Sequence, residues 1–417
     1  MRKIHKSLIS IKNSFFCIFL FLAVSACLIS CKKAEGARTE LVFGTVCTVN
    51  AFKDGTSDLY NQLFVRLHEL DRRFSTTISS SEIEKINAGA GVRSVEVSDE
   101  VLELLKVSLA FSKITDGAFD PTIGPVVKLW GINTDHAHVP EDAELEKALK
   151  LVGWQKVQIE GNKVYLPQQG MRLDLGGIVK GYAADVLKDI LKEKKVKQAI
   201  IDLGGNVYTV GKKKDKSPWR IGIKNPQAPE GSPAAVLSLP EISVVTSGVY
   251  ERFFIKDGVR YHHIIDAKTG RPVDNGITSV TIVSESSTAC DALSTSLFIL
   301  GMEKGFELLK RLEKENVPAD AADGSANIGA PTTDGRGANT GAAKEYSAKN
   351  DSTDGMGMWL FGSSSVGEAE NKPFIQLTKN GLPYIEKSDG VNSVLNAVYI
   401  DSENYMFPTE DLKNMMK

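Results

Sequence analysis

The chain has 417 residues, 42% apolar and 24% charged, with a formal charge of −2. That composition supports a large folded core or two subdomains and excludes a fibrous or wholly disordered chain. A near-neutral balance gives no electrostatic footprint for nucleic acid, and the Lys-rich run from Lys192 to Lys197 reads as a solvated helix end.

The N-terminus reads as a targeting segment. Arg2, Lys3, Lys6 and Lys12 precede an apolar run from Ser14 to Ala26, followed by Leu28-Ile29-Ser30-Cys31. A basic start, a short apolar stretch and small residues before the cut describe a bacterial export signal, and the run is short for a membrane span. Small residues before a Cys are similar to a lipobox, which predicts a signal peptide over 1–30 and a lipid on Cys31. Val24-Ser25-Ala26-Cys27 also fits, but cutting there leaves a second Cys and an apolar stub. Simple secretion and an uncleaved anchor are the alternatives. Residues 31–39 read as a polar tether. Beyond Cys31 only Cys47 and Cys290 remain, too few for a disulfide framework or a Cys-based metal site.

Glu40 to Phe52 alternates like a strand around Phe43-Gly44-Thr45. Ser57 to Phe74 is amphipathic, with Leu59, Leu63, Phe64, Leu67, Leu70 and Phe74 on one helical face. A short helix is expected over Glu82–Asn87 and a longer one over Val101–Thr115, capped by Ser98 or Asp99. Ala118-Phe119-Asp120-Pro121-Thr122-Ile123-Gly124-Pro125 reads as a rigid loop. A helix over Glu141–Lys150 and a hairpin over Val157–Leu166 follow.

Met171 to Leu175 reads as a strand running into Gly176-Gly177. A helix follows, with Tyr182, Ala183, Val186, Leu187, Ile190 and Leu191 on one face. A helix start after a glycine turn suits an anion such as phosphate, and a purely structural turn fits equally. Asp-Leu-Gly-Gly occurs at Asp174 and again at Asp202, an indication of internal duplication. Strands are expected over 198–203, 219–224, 235–239, 242–247, 251–256, 261–265 and 278–283, then helices over Thr288–Leu300 and Glu303–Glu315. Residues 317–371 are rich in Gly, Ala, Ser, Thr, Asp and Asn and read as a low-complexity, disordered insertion. Residues 372–417 read as strands that complete a domain over 40–316, including one over Leu395–Asp401. Strands and helices without regular alternation predict an α+β fold with largely antiparallel sheets.

The familiar nucleotide and zinc motifs are absent. Asp291 and Thr295 lie four apart near a helix start and share a face, a donor pair suited to Mg²⁺ with substrate phosphates; a helix acid favoured by the dipole is the plain alternative. His263 has the ordinary chemistry of a general base, or of a hydrogen-bonded structural histidine. In a strand, His262 and His263 face opposite ways.

Read together, Phe43-Gly44-Thr45, Phe74-Ser75 with Ser81-Glu82-Ile83, Gly117–Gly131, Asp174–Asp185, Asp202–Asn206, Thr246–Arg252, Tyr261–Asp266 with Thr269-Gly270, and Asp291–Thr295 resemble the ApbE-type family of FAD:protein FMN transferases. The set spans about residues 41–316 in the family's order. The resemblance implies a Mg²⁺-dependent transferase that cleaves FAD, releases AMP and joins FMN by a phosphoester to a Thr or Ser of a partner protein. It implies Mg²⁺ on Asp291, Thr295 and a main-chain carbonyl near Gly177, and FAD contacts from Phe43, Ala118, Phe119, Asp120, Asp174, Lys180 and Ile264. His263 is the implied base.

The expected partner is a redox-pump subunit with a Ser/Thr-Gly-Ala-Thr-like motif, and the expected place is the periplasmic side of the inner membrane, held by the lipid. Two features depart from the pattern. Phe43 stands where the family usually has Met, and the insertion contains Thr340-Gly341-Ala342-Ala343, which lacks the final hydroxyl of the acceptor motif. An FAD pyrophosphatase and a non-catalytic FAD-binding lipoprotein are the competing functions.

Overall fold

The structure, a computed structural model, describes residues 34–225, 233–314, 396–401 and 406–408. Cys31, the signal segment, the 317–371 insertion with Thr340, and residues 372–395 lie outside the described residues.

Strands β1 (Arg38–Val42), β2 (Thr45–Asn50), β3 (Val95–Glu96), β4 (Gln158–Glu160), β5 (Lys163–Tyr165), β6 (Gln198–Leu203) and β7 (Asn206–Gly211) occupy the first half. Strands β8 (Trp219–Lys224), β9 (Pro233–Leu239), β10 (Ser243–Gly248), β11 (Phe253–Lys256), β12 (Val259–His262), β13 (Ile277–Ser284), β14 (Asn396–Asp401) and β15 (Met406–Pro408) follow. The main helices are α1 (Ser57–Phe74), α2 (Glu82–Gly89), α3 (Asp99–Ile114), α4 (Gly124–Trp130), α5 (Asp142–Leu149), α6 (Val179–Glu193) and α7 (Ser287–Lys314). One sheet of eight strands runs β1-β2-β6-β7-β10-β13-β14-β15, and its neighbours pair antiparallel. The α+β expectation holds. β1 starts at Arg38, inside the stretch read as a tether, because Arg38 pairs across to Val49 and its guanidinium donates to Asn61 at 2.5 Å.

The helices form where the apolar spacing calls for them. Thr56 Oγ1 caps α1 by accepting from Leu59 N at 3.2 Å, and the helix buries the expected Leu59, Leu63, Phe64, Leu67, Leu70 and Phe74. Ser81 caps α2 and Ser98 caps α3. These helices and α6 and α7 cover one sheet face, closing a core that includes Leu63, Phe111, Tyr182, Ile201 and Leu293. The β8–β9 pair packs over a second core with Val244, Val283 and Val398. A third cluster gathers Trp130, Leu145 and Ile265.

Helices α6 and α7 meet at glycine. A Cβ on Gly181 would lie 2.2 Å from Ser287 O and 2.8 Å from Asp291 Cβ, so a side chain there would force the helices apart. Asp185 of α6 satisfies the α7 start. It is fully buried and accepts from Thr288 N at 2.8 Å, Ser287 N at 3.2 Å and Thr288 Oγ1 at 2.8 Å. The two helices expected over 288–315 are both present: α7 (Ser287–Lys314) is two helices that meet at Gly301, whose φ of 79° and ψ of 172° no helix accommodates.

One expected strand is absent. Met171–Leu175 is extended but joins no ladder beyond a bridge between Arg172 and Ile123. The Asn87 side chain takes the place of a strand neighbour, with Oδ1 accepting from Leu173 N at 2.6 Å and Nδ2 donating to Leu173 O at 3.1 Å. The two Asp-Leu-Gly-Gly tetrads serve different turns. The first leads into α6, and the second closes the β6–β7 hairpin, with φ of 63° at Gly204 and 95° at Gly205.

Candidate active site

Four segments converge beside the N-terminal turn of α6. They are the Phe119 loop, the first turns of α7, the end of β10, and the roots of the β11–β12 hairpin. A Cβ on Gly177 would come within 3.2 Å of Phe119 Cε2 and 3.6 Å of Thr295 Oγ1, so the missing side chain lets the Gly177 backbone face the Thr295 hydroxyl. Ser247 Oγ lies 3.3 Å from Thr295 Oγ1 and 2.8 Å from Ser294 Oγ.

Asp291 is buried, and its Oδ2 accepts from Gly181 N at 2.9 Å. The Lys180 ammonium lies 3.3 Å from Oδ1 and 3.4 Å from Oδ2. The family resemblance implies an FAD contact for Lys180 and a metal on Asp291; the structure pairs the two side chains. The pair is also a test of whether the donors suit a cation. The carboxylate already carries a positive charge against both oxygens, with a hydroxyl and a backbone beside it, and all these donors are hard oxygens. Among the described residues no group of three or more His, Cys, Asp or Glu could hold a metal. An ion here therefore rests on one carboxylate with neutral oxygens, the set that suits Mg²⁺ held jointly with substrate phosphates.

Arg252 joins two parts of the site. Its Nη2 donates to Phe43 O at 2.8 Å, and its carbonyl accepts from His263 N at 3.1 Å and from His263 Nδ1 at 3.2 Å. That bond assigns the ring proton to Nδ1 and leaves Nε2 as the acceptor. Burial, with the positive charges of Arg252 and Lys180, lowers the His263 pKa to about 3, so the ring is neutral at physiological pH. Its neighbour His262 turns inward, 5.8 Å from the Phe298 ring with Nε2 2.9 Å from Val273 O. The two histidines thus divide into one structural and one at the site.

Phe43 occupies the β1–β2 turn with φ of 54°, followed by Gly44 at 66°. Two successive positive φ values fit a hairpin turn that bulky residues rarely adopt, and the Arg252 bond holds it. Asp174 is half-buried, and its Oδ1 accepts from Gly176 N at 2.7 Å. Burial raises its pKa against the pull of that N–H and of Arg252.

Asp120 holds its own loop. Oδ1 accepts from Thr122 N and Oγ1, at 2.8 and 2.6 Å, and Oδ2 from Trp154 N at 3.1 Å; burial raises its pKa. Ala118 and Phe119 are buried in that loop, their N–H groups donating to Thr115 O and Thr115 Oγ1. Ile264 is also buried, its N–H donating to His262 Nδ1 and its carbonyl accepting from Val273 N. Of these three, Phe119 borders the site, its ring lying beside Gly177. Sequence reasoning missed Arg252, Ser247 and Ser294. The first two lie in Thr246–Arg252, a stretch quoted for its resemblance but given no role.

A model of the ApbE family matches residues 43–319. A Treponema pallidum protein named FAD:protein FMN transferase is 37% identical over 70% of this chain and 89% of its own length. One from Klebsiella pneumoniae with the same name is 41% identical over 60% of this chain and 78% of its own. The crystal structure of the ApbE protein from Thermotoga maritima superposes with a TM-score of 0.61 at 36% identity, covering 67% of this chain and 91% of that one. The flavin transferase ApbE from Vibrio cholerae gives 0.60 at 30% identity, covering 66% and 90%. The chain belongs to the ApbE family.

Proposed function

We propose that the chain is a Mg²⁺-dependent FAD:protein FMN transferase. In this reading the hydroxyl of a Thr or Ser on an acceptor protein attacks the FMN-side phosphorus of FAD. The bond from that phosphorus to the bridging oxygen breaks, and AMP leaves with the oxygen. The hydroxyl proton passes to Nε2 of His263.

The observation that carries the reading is the state of His263, a neutral ring with Nδ1 tied to the Arg252 carbonyl, within the field of Lys180. A base must start unprotonated with a free lone pair; burial and the charges of Arg252 and Lys180 keep the ring neutral, and the Arg252 carbonyl sets Nε2 as the free nitrogen. An unperturbed pKa near 6.5 would match the task better; the negative pyrophosphate of bound FAD supplies an opposite charge that moves the ring back toward that value. Arg252 and Lys180 put positive charge beside the same phosphates. Asp291, Thr295 and the Gly177 backbone would hold Mg²⁺, which when bound offsets the charge of the phosphate oxygens and of the departing AMP. Asp174 and the Phe43 turn flank the dinucleotide, and Phe119 and Asp120 keep the adjoining loop rigid. Relatives named FAD:protein FMN transferase support the assignment.

The same proposal includes the expected surroundings. The acceptor is a redox-pump subunit with a Ser/Thr-Gly-Ala-Thr-like motif. The domain works on the periplasmic side of the inner membrane, held by a lipid on Cys31. Replacing Cys31 with Ser in cells and following the protein from membrane to soluble fractions tests the anchor; unchanged membrane association would remove it. The chemistry is tested with purified protein, FAD and Mg²⁺. AMP release that EDTA abolishes is expected, and AMP formation indifferent to EDTA would remove the metal from the proposal.

A further inference from the structure

The β11–β12 hairpin grows directly out of the candidate active site. β11 begins one residue after Arg252, and β12 ends one residue before His263. The bond from His263 N to Arg252 O ties the two roots together, so the hairpin starts at the candidate base. Register pairs Phe253 with His262, Phe254 with Tyr261, Ile255 with Arg260 and Lys256 with Val259.

Side chains alternate between the faces of a strand, and cross-strand partners share a face. Phe254 and Tyr261 therefore lie on one face, stacked at 5.3 Å and packed on Trp130. The other face holds Phe253, Ile255 and Arg260, with buried His262 opposite Phe253 at its root. Phe253 is 37% exposed and Ile255 62% exposed, and the Arg260 guanidinium carbon sits 4.6 Å from the Phe253 ring centroid. From Arg252 to His262 the charges are Arg252, Lys256 and Arg260 against Asp257 alone. Lys256 falls on the Phe254 face and the Arg252 guanidinium is held by Phe43 O, so the Phe253 face presents an apolar strip with the Arg260 cation on it.

Phe253 and Ile255 are exposed side by side next to the candidate site, and a large substrate gives such an apolar patch a use. A hydroxyl that reaches His263 brings its flanking chain with it. Extended chain covers about 3.3 Å per residue, so the residues three or four places from that hydroxyl span the length of these strands. An apolar centre rimmed by Arg is the make-up of a protein interface. We infer that this face of the β11–β12 hairpin docks the acceptor protein. The docking segment offers apolar side chains to Phe253 and Ile255 and a carboxylate to Arg260, whose plane the Phe253 ring already orients. The inference rests on the transfer reading above.

The test uses Ile255→Asp and Arg260→Glu, with Val65→Asp as a control. Val65 lies on α1 and is 57% exposed. FMN transfer is measured against the concentration of a purified redox-pump acceptor domain, and FAD binding by quenching of flavin fluorescence. In both hairpin variants the acceptor KM rises roughly tenfold, while kcat, FAD affinity and the Val65→Asp control stay at wild-type values. Acceptor KM values unchanged in both hairpin variants overturn the docking surface and leave the transfer reading standing. Weakened FAD binding also overturns it, because the hairpin would then belong to the FAD site. An acceptor that the wild-type protein leaves unmodified removes the transfer reading, and the surface with it.

Discussion

The carbonyl oxygen of Arg252 receives two hydrogen bonds from His263, from the backbone N at 3.1 Å and from ring Nδ1 at 3.2 Å. One residue thus fixes both where His263 sits and which of its nitrogens is free. The same Arg252 extends its guanidinium to Phe43 O at 2.8 Å, so the β1–β2 turn and the candidate base share one anchor.

If Nε2 of His263 takes the acceptor proton, His263→Gln lowers transfer by about 10²–10⁴-fold, the usual contribution of a general base. FAD binding, followed by flavin fluorescence, stays near wild type. Transfer at the wild-type rate would remove His263 as the base.

The lowered pKa of His263 has a signed effect on stability. The folded value is about 3 against 6.5 for the free side chain. Between those values the unfolded chain binds a proton that the native chain does not. The contribution is therefore complete above pH 6.5 and is lost as pH falls toward 3. Burial raises Asp120, Asp174, Asp185 and Asp202, which act in the opposite sense, and they remain in any His263 variant. His263→Gln should therefore lose less stability than the wild type between pH 7 and pH 4 in chemical denaturation. Parallel losses in the two proteins would show that the ring is not held neutral.

Lys180 and Asp291 form a partly buried pair with side-chain exposures of 18% and 3%. Lys180→Met leaves the Asp291 carboxylate without its counter-charge and should destabilise the fold by about 1–3 kcal/mol. Added Mg²⁺ should then raise the melting temperature of Lys180→Met more than that of the wild type, because a cation replaces the ammonium. Equal Mg²⁺ shifts in the two proteins would argue against Asp291 as a ligand.

Gly181 is the point where α6 and α7 touch. Gly181→Ala puts a Cβ into Ser287 O and against Asp291, at built distances of 2.2 and 2.8 Å. Overpacking of this kind costs about 1–3 kcal/mol, and the shift also moves Asp291, so turnover should fall more than stability suggests. A Gly181→Ala protein with normal melting and turnover would contradict the close approach.

Much of the frame was legible in the sequence because local periodicity and caps determine it. The α1 limits Ser57–Phe74 and the buried face follow from apolar spacing alone, and Ser98 is visible as a cap. Asp291 and Thr295 were found together because four residues of helix put them on one face. What escaped depends on contacts distant in the chain. Met171–Leu175 has the composition of a strand, yet Asn87, 86 residues before Leu173, supplies its backbone partners. Arg252 reaches a carbonyl 209 residues away, and Lys180 finds Asp291 across 111 residues. No spacing rule connects such pairs. The two helices within α7 were also legible, since the apolar pattern breaks where Gly301 leaves helical φ and ψ.

The most direct measurement is the mass of a purified acceptor domain after incubation with the protein, FAD and Mg²⁺. The account predicts that one FMN is added as a phosphoester, with one AMP released per transfer, and that the addition disappears when the acceptor hydroxyl is removed by Thr→Ala. No AMP, with or without the acceptor, would contradict the account.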